Sequence, residues 1–115
     1  GHFADFLPNN LIDFVIILRC HPDVLLERLE RRNYKREKIL ENIQAEILGN
    51  CSNYIVQKEL SCPIFEFNTS EMDLEVLIQL ILRFFEGKED LHKYLIGNID
   101  WLNELFETDR LNEFF

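Results

Sequence analysis

DFVIILRCHPDVLLERLERRNYKREKI, residues 13–39, contains the change of pattern on which the fold turns. Its first eight residues, Asp13 to Cys20, are rich in β-formers and almost continuously apolar, as in a parallel strand covered on both faces. At Pro22 the pattern changes. Proline holds its φ near the helical value and lacks only an N–H that the first helical turn leaves unbonded. Asp23 follows, where the positive end of the helix dipole favours an acid. Val24, Leu25, Leu26 and Leu29 then give the helix a buried face, and Asn33 is suited to end it in a left-handed turn.

Working outward, Pro8-Asn9-Asn10 marks a loop before the strand. A second helix is predicted from near Lys35. Ile39, Ile43, Ile47, Cys51 and Ile55 recur at four-residue steps, with Leu40, Leu48 and Tyr54 widening the stripe. Gly49-Asn50 weakens its middle. After Cys62-Pro63, IFEFN reads as a second short strand. Ser70 reads as an N-cap with Asp73 three residues on. Leu74, Leu77, Ile78, Ile81 and Phe85 carry a third amphipathic helix, broken at Gly87 to Asp90. Beyond the Gly97-Asn98 turn, Trp101, Leu102, Leu105 and Phe106 fall at helical spacing in an acidic, aromatic extension. Trp101, Leu105 and Phe106 are expected to cover the core, with the extension docked on the main body or on another chain.

The order strand, helix, helix, strand, helix predicts an α/β fold with a parallel sheet and flanking helices. Residues 1–86 read as one unit and 87–115 as a helical tail. Two parallel strands fall below the usual minimum for a stable sheet. The sheet is therefore expected to be incomplete, with further strands supplied from before Gly1.

The chain has 115 residues, 47% of them hydrophobic with ten Phe, enough for a core, and a net charge of −9. That balance argues against general binding to nucleic acid or to anionic membranes. The apolar runs are far shorter than the ~20 residues of a membrane span. Cys20, Cys51 and Cys62 have no metal-ligand spacing, and an odd count without a signal peptide points to reduced thiols in a cytosol-like compartment. The charge is uneven. Residues 19–38 hold seven basic side chains against four acids, so a local +3 sits in a chain that is otherwise −12.

DFVIILRCHPDVLLERLERRNYKREKILENIQAEI resembles the C-terminal half of adenylate kinases of the isoenzyme-6 type, found in archaea and eukaryotes. The matching elements are Leu18-Arg19, Arg28-Leu29, Arg32-Asn33-Tyr34, Glu41-Asn42 and Glu46. Asn33 stands where the family has Gly, a change that Asn tolerates in the left-handed region. GHFADFLP is similar to the segment after the family's second motif, with His2 as its His, and GNIDWL is similar to the tails of archaeal members. No G-x-x-x-x-G-K-[ST] phosphate loop occurs in the sequence. That loop, the AMP-binding segment and the Asp two residues before His2 are expected upstream of Gly1.

The resemblance implies an incomplete P-loop kinase fold that moves the γ-phosphate of ATP to AMP, with ATPase activity and a role in small ribosomal subunit maturation as further expectations. It implies a lid at about 28–38, with Arg28, Arg32 and His2 as catalytic candidates. Arg32, Arg36, Asn68, Thr69 and Ser70 are the candidates for holding ATP. Arginine suits phosphate because its planar fork grips oxygens in pairs and stays charged. Mg²⁺ would be held by upstream residues and the phosphates, with no metal ligands in this chain. A basic ribosomal protein is the implied partner, and the compartment is the cytoplasm, or the nucleus in a eukaryote. Two alternatives stand beside this reading. The basic residues near Glu27, Glu30, Glu37 and Glu41 would in one case form ordinary exposed helix pairs. In the other, the chain is a non-catalytic interaction module derived from such a kinase; on the kinase reading, the 115 residues are its C-terminal portion and are expected to be inactive alone.

Overall fold

The computed structural model describes residues 13–115. His2, Asp5 and the Pro8-Asn9-Asn10 signal lie outside the described residues. The architecture is mixed α/β, as the alternation of patterns predicted. Strand β1 (Val15–Arg19) is followed by helices α1 (Pro22–Arg31), α2 (Arg36–Ile47) and α3 (Asn50–Gln57). Strand β2 (Ile64–Asn68), helix α4 (Leu74–Phe85) and helix α5 (Trp101–Glu107) complete the main elements. The strands pair in parallel, Val15 opposite Ile64 through Arg19 opposite Asn68.

Proline opens α1 as its pattern predicted, and Asn33 leaves it with φ 58°. The cap is supplied by His21, whose Nδ1 accepts from the Asp23 amide at 3.1 Å. The long stripe from Ile39 to Ile55 is divided between two helices rather than carried by one. Gly49 sits at φ 66°, which ends α2 and begins α3. Ile43, Ile47 and Ile55 stay buried across the break. Ser70 does not cap α4. Asp73 does, accepting from the Val76 amide at 2.8 Å, while Ser70 closes a turn on Asn68.

Alternation along the strands sorts the core into two faces. Phe65 and Phe67 point towards α4, where Phe84, Leu77, Leu80, Ile81, Phe14 and Ile16 join them. Several rings meet edge to face, Phe65 and Phe84 at 4.7 Å between centroids, the geometry that ring quadrupoles favour. The second cluster joins Leu29, Ile39, Ile43 and Ile47 to Leu105 and Phe114 of the C-terminal segment. The tail is thus part of the core under α1 and α2. Trp101 and Leu105 are buried, whereas Phe106 is exposed.

The outer edge of β2 is covered by Leu95 to Gly97, with the Ile96 amide donating to the Ile64 carbonyl at 3.1 Å. Leu18 of β1 and a stripe of α4 (Leu74, Ile78, Leu82, Phe85) remain exposed. No described helix is long and apolar enough to cross a membrane.

Candidate functional site

In parallel α/β sheets, ligands bind beyond the carboxyl ends of the strands. Here those ends are laced together. The Thr69 amide and hydroxyl both donate to the Arg19 carbonyl, each at 2.8 Å. The His21 amide donates to Ser70 Oγ at 2.8 Å, and Ser70 Oγ in turn donates to Asn68 Oδ1. The loop after β1 and the loop after β2 therefore form one polar rim.

Arg28 reaches this rim from the middle of α1. Its Nη2 donates to the Thr69 carbonyl at 2.8 Å, and its Nη1 lies 3.4 Å from both Thr69 Oγ1 and Cys20 Sγ. The structure brings together Arg28, Thr69, Asn68 and Ser70. Arg32 and Arg36 are separate from them. Arg32 is one turn on from Arg28, at the exposed end of α1, and Arg36 opens α2. Arg32, Lys35 and Arg36 make no ion pair or side-chain hydrogen bond with any described residue, whereas Arg31 pairs with Glu27 and Lys38 with Glu41 at 3.6 Å. Ordinary helix pairing thus accounts for Arg31 and Lys38 and leaves three cations open to solvent around the Asn33 turn. Burial pushes the Cys20 thiol above its usual range, with the Arg28 charge acting in the opposite direction.

Arg19, counted by sequence among the basic residues, is buried and belongs to a different construction. It donates to Glu46 and Glu66, to Ser52 Oγ and to the Glu46 carbonyl. Trp101 Nε1 donates to Glu46 Oε2 at 2.9 Å, and the Gly97 amide to Glu66 Oε1 at 3.0 Å. The cluster ties both strands, α2, α3 and the tail into one unit. Burial acts against the Arg19 charge, but Glu46 and Glu66 outweigh it and hold the guanidinium more firmly protonated than usual. For Glu46, burial outweighs the donors and pushes the carboxyl up. The two directions differ because one guanidinium serves two carboxylates. The pair is charged: the guanidinium cannot lose its proton, and Arg19, Trp101 Nε1 and the Cys20 amide all donate to Glu46. Sequence reading placed Arg19 and Glu46 in a motif but gave neither a role, and it missed Glu66. The available signal was a pair of opposite charges inside two apolar strands, Arg19 and Glu66, on the same sheet face.

The C-terminal segment also reaches the rim. His21 Nε2 lies 3.1 Å from Glu104 Oε2, and the His21 ring meets Trp101 edge to face at 5.1 Å. Arg110 grips Asp23 with two donors, at 2.7 and 3.1 Å, and also pairs with Glu113. The Arg110 guanidinium holds the Asp23 carboxyl below its usual range. A cavity of about 430 Å³ opens between α5 and the rim, with Val24, Met72 and Trp101 among its walls. Among the described residues no group of three or more His, Cys, Asp or Glu side chains is placed to hold a metal ion.

A family model described as an AAA domain matches residues 1–49. A protein of Archaeoglobus fulgidus named "Putative adenylate kinase" is 40% identical over 115 residues, covering 99% of this chain and 61% of that protein. Proteins of the same name in Methanococcus maripaludis and Methanocaldococcus jannaschii are 39% and 37% identical, covering 92% and 93% of this chain. The chain is similar to these archaeal proteins over nearly all of its own length. It spans 54% to 61% of the length of these three.

Proposed function

We propose that this chain forms the lid-bearing and base-binding part of a nucleoside monophosphate kinase that converts ATP and AMP to two ADP. Residues 1–86 belong to the kinase domain, 28–38 act as its lid, and 87–115 form a tail packed beneath it. The observation that carries the reading is Arg28, which joins the root of the lid to Thr69 at the carboxyl ends of both strands. Phosphoryl transfer needs positioning and preorganised positive charge more than covalent chemistry. Arg32 and Arg36, unpaired by described residues and one short turn apart, suit the polyphosphate. Arg28 shapes the floor, and Asn68, Thr69 and Ser70 face the base. Mg²⁺, when bound, neutralises charge on the phosphates. Its ligands would be the phosphates and groups outside the described residues, and His2 is assigned a catalytic role.

Slow ATP hydrolysis and a role in small ribosomal subunit maturation in the cytoplasm belong to the same proposal. The acidic surface outside the lid favours a basic ribosomal protein as partner.

The test is ADP formation by the native gene product. Arg32→Ala is expected to lower the rate about 10³-fold without changing the urea midpoint, because no described residue depends on Arg32. An unchanged rate overturns the lid assignment. One observation favours a second reading, a non-catalytic interaction module: the exposed apolar stripe Leu74, Ile78, Leu82 and Phe85. A gene product that forms no ADP, with or without Arg32, supports that reading.

A further inference from the structure

The cavity between α5 and the strand-end rim differs in charge from the lid. Glu71 and Glu104 both border it, and its only basic side chain among the described residues is His21, whose Nε2 already faces Glu104. Phosphate is a poor occupant of such a space. The apolar walls are Val24, Met72 and Trp101, and a volume of about 430 Å³ lies within the usual range for small-molecule sites.

Two of its lining residues, Asn68 and Glu104, each keep a polar atom uncommitted among the described residues. Asn68 Oδ1 accepts from both the amide and the hydroxyl of Ser70, which leaves Nδ2 as a donor with no described partner. Glu104 Oε2 lies against His21, and its Oε1 has no described partner. The cavity therefore offers a donor, an acceptor and an aromatic side chain to one ligand. A neutral heteroaromatic ring with an exocyclic amino group answers all three.

We infer that α5 completes the nucleobase site, with Trp101 forming a wall against the base and Glu104 accepting a hydrogen bond from its exocyclic amino group. The inference rests on the kinase reading for the identity of the ligand as a nucleotide. It adds that the tail, outside the proposed 1–86 kinase unit, helps to choose the base. The phosphates then lie towards Arg32 and Arg36, away from Glu71 and Glu104.

Trp101 is the only tryptophan of the chain, so its fluorescence and indole N–H resonance report directly on this wall. The 115-residue chain is titrated with adenosine and with purine riboside, which lacks the amino group. Adenosine is expected to perturb Trp101 together with the amides of Asn68 and Ser70. A hydrogen bond to a charged acceptor is worth enough that purine riboside binds about tenfold more weakly. Glu104→Leu abolishes that difference, while Glu104→Gln, which keeps a neutral acceptor, retains part of it. Urea midpoints of both variants control for folding. Equal binding of the two nucleosides by the native chain overturns the inference, as does perturbation of Asn68 and Ser70 without Trp101. An active native gene product whose KM for ATP ignores Glu104→Leu also overturns it and leaves the kinase reading intact. Absence of ADP formation would instead count against that reading.

Discussion

Replacing Arg19 with methionine removes the cation that serves one buried carboxylate, Glu66, and one partly buried carboxylate, Glu46. The aliphatic stem is nearly preserved, so the loss is chiefly electrostatic. In the native chain the side chains of Arg19 and Glu66 are 4% and 2% exposed, and that of Glu46 is 17% exposed. Without Arg19, Glu66 keeps only Ser52 Oγ and the Gly97 amide as donors among the described residues, and Glu46 keeps Trp101 Nε1 and the Cys20 amide. Breaking a buried ion pair on one side costs about 3–5 kcal/mol, a large share of the roughly 5–15 kcal/mol that holds a domain together. With a urea slope of about 1.5–2 kcal/mol per molar, the midpoint should fall by about 1.5–3 M. The assay is urea unfolding followed by Trp101 fluorescence and by far-ultraviolet circular dichroism. Adding Glu66→Gln to Arg19→Met removes one uncompensated charge, so the double variant should be more stable than Arg19→Met alone. A midpoint shift below about 0.5 M would refute the reasoning, as would a double variant whose loss is the simple sum of two single losses.

Gly49 adopts φ 66°, and a Cβ there would meet nothing closer than Arg19 Nη2 at 3.9 Å. Gly49→Ala should therefore cost only the left-handed backbone term, about 1–2 kcal/mol, and Gly49→Asn less, as read from thermal midpoints. Ile43 is fully buried between α1, α2 and the tail, so Ile43→Ala should cost about 2–5 kcal/mol; a loss below 1 kcal/mol would place the tail elsewhere. Arg110 depresses the Asp23 carboxyl. Its contribution is present above the ordinary aspartate value of 3.8 and is lost as pH falls through the lower folded value. Asp23→Asn should flatten the acid limb of a urea-midpoint profile measured between pH 5 and 3. Glu46 runs in the other sense, since burial raises its carboxyl. Its stabilising contribution is complete below the ordinary value of 4.5 and disappears as pH rises through the higher folded value, so Glu46→Gln should remove that decline.

Much of the architecture was legible because single residues carried strong local reasons. Pro22 could only open a helix, and Asn33 was one of few residues able to close it with positive φ. The periodicity of Ile39 to Ile55 was equally clear but ambiguous at Gly49, because a four-step stripe survives a helix break that preserves the buried side. Ser70 and Asp73 both suit an N-cap. Tertiary bonding settled the matter by engaging Ser70 with Asn68 and His21. At the candidate site, the resemblance named Arg28 and the Asn68–Ser70 loop, but no spacing rule joins Arg28 to Thr69, 41 positions away. The contributions of Trp101, Glu104 and Arg110 lay beyond sequence reading for the same reason. Their partners are distant in the chain, and an acidic aromatic tail has the same composition whether it packs on its own body or elsewhere.

Arg32, Lys35 and Arg36 form a small positive tip on a body of opposite sign. The acidic remainder repels anions over most of the described surface, so an approaching anion is drawn to this turn in preference. Such a field acts as a funnel for diffusion, raising productive encounters without adding a contact. Its reach is about one Debye length, near 10 Å at 0.1 M salt. The rate of capture should therefore fall steeply with ionic strength, while dissociation, governed by contacts already made, changes far less.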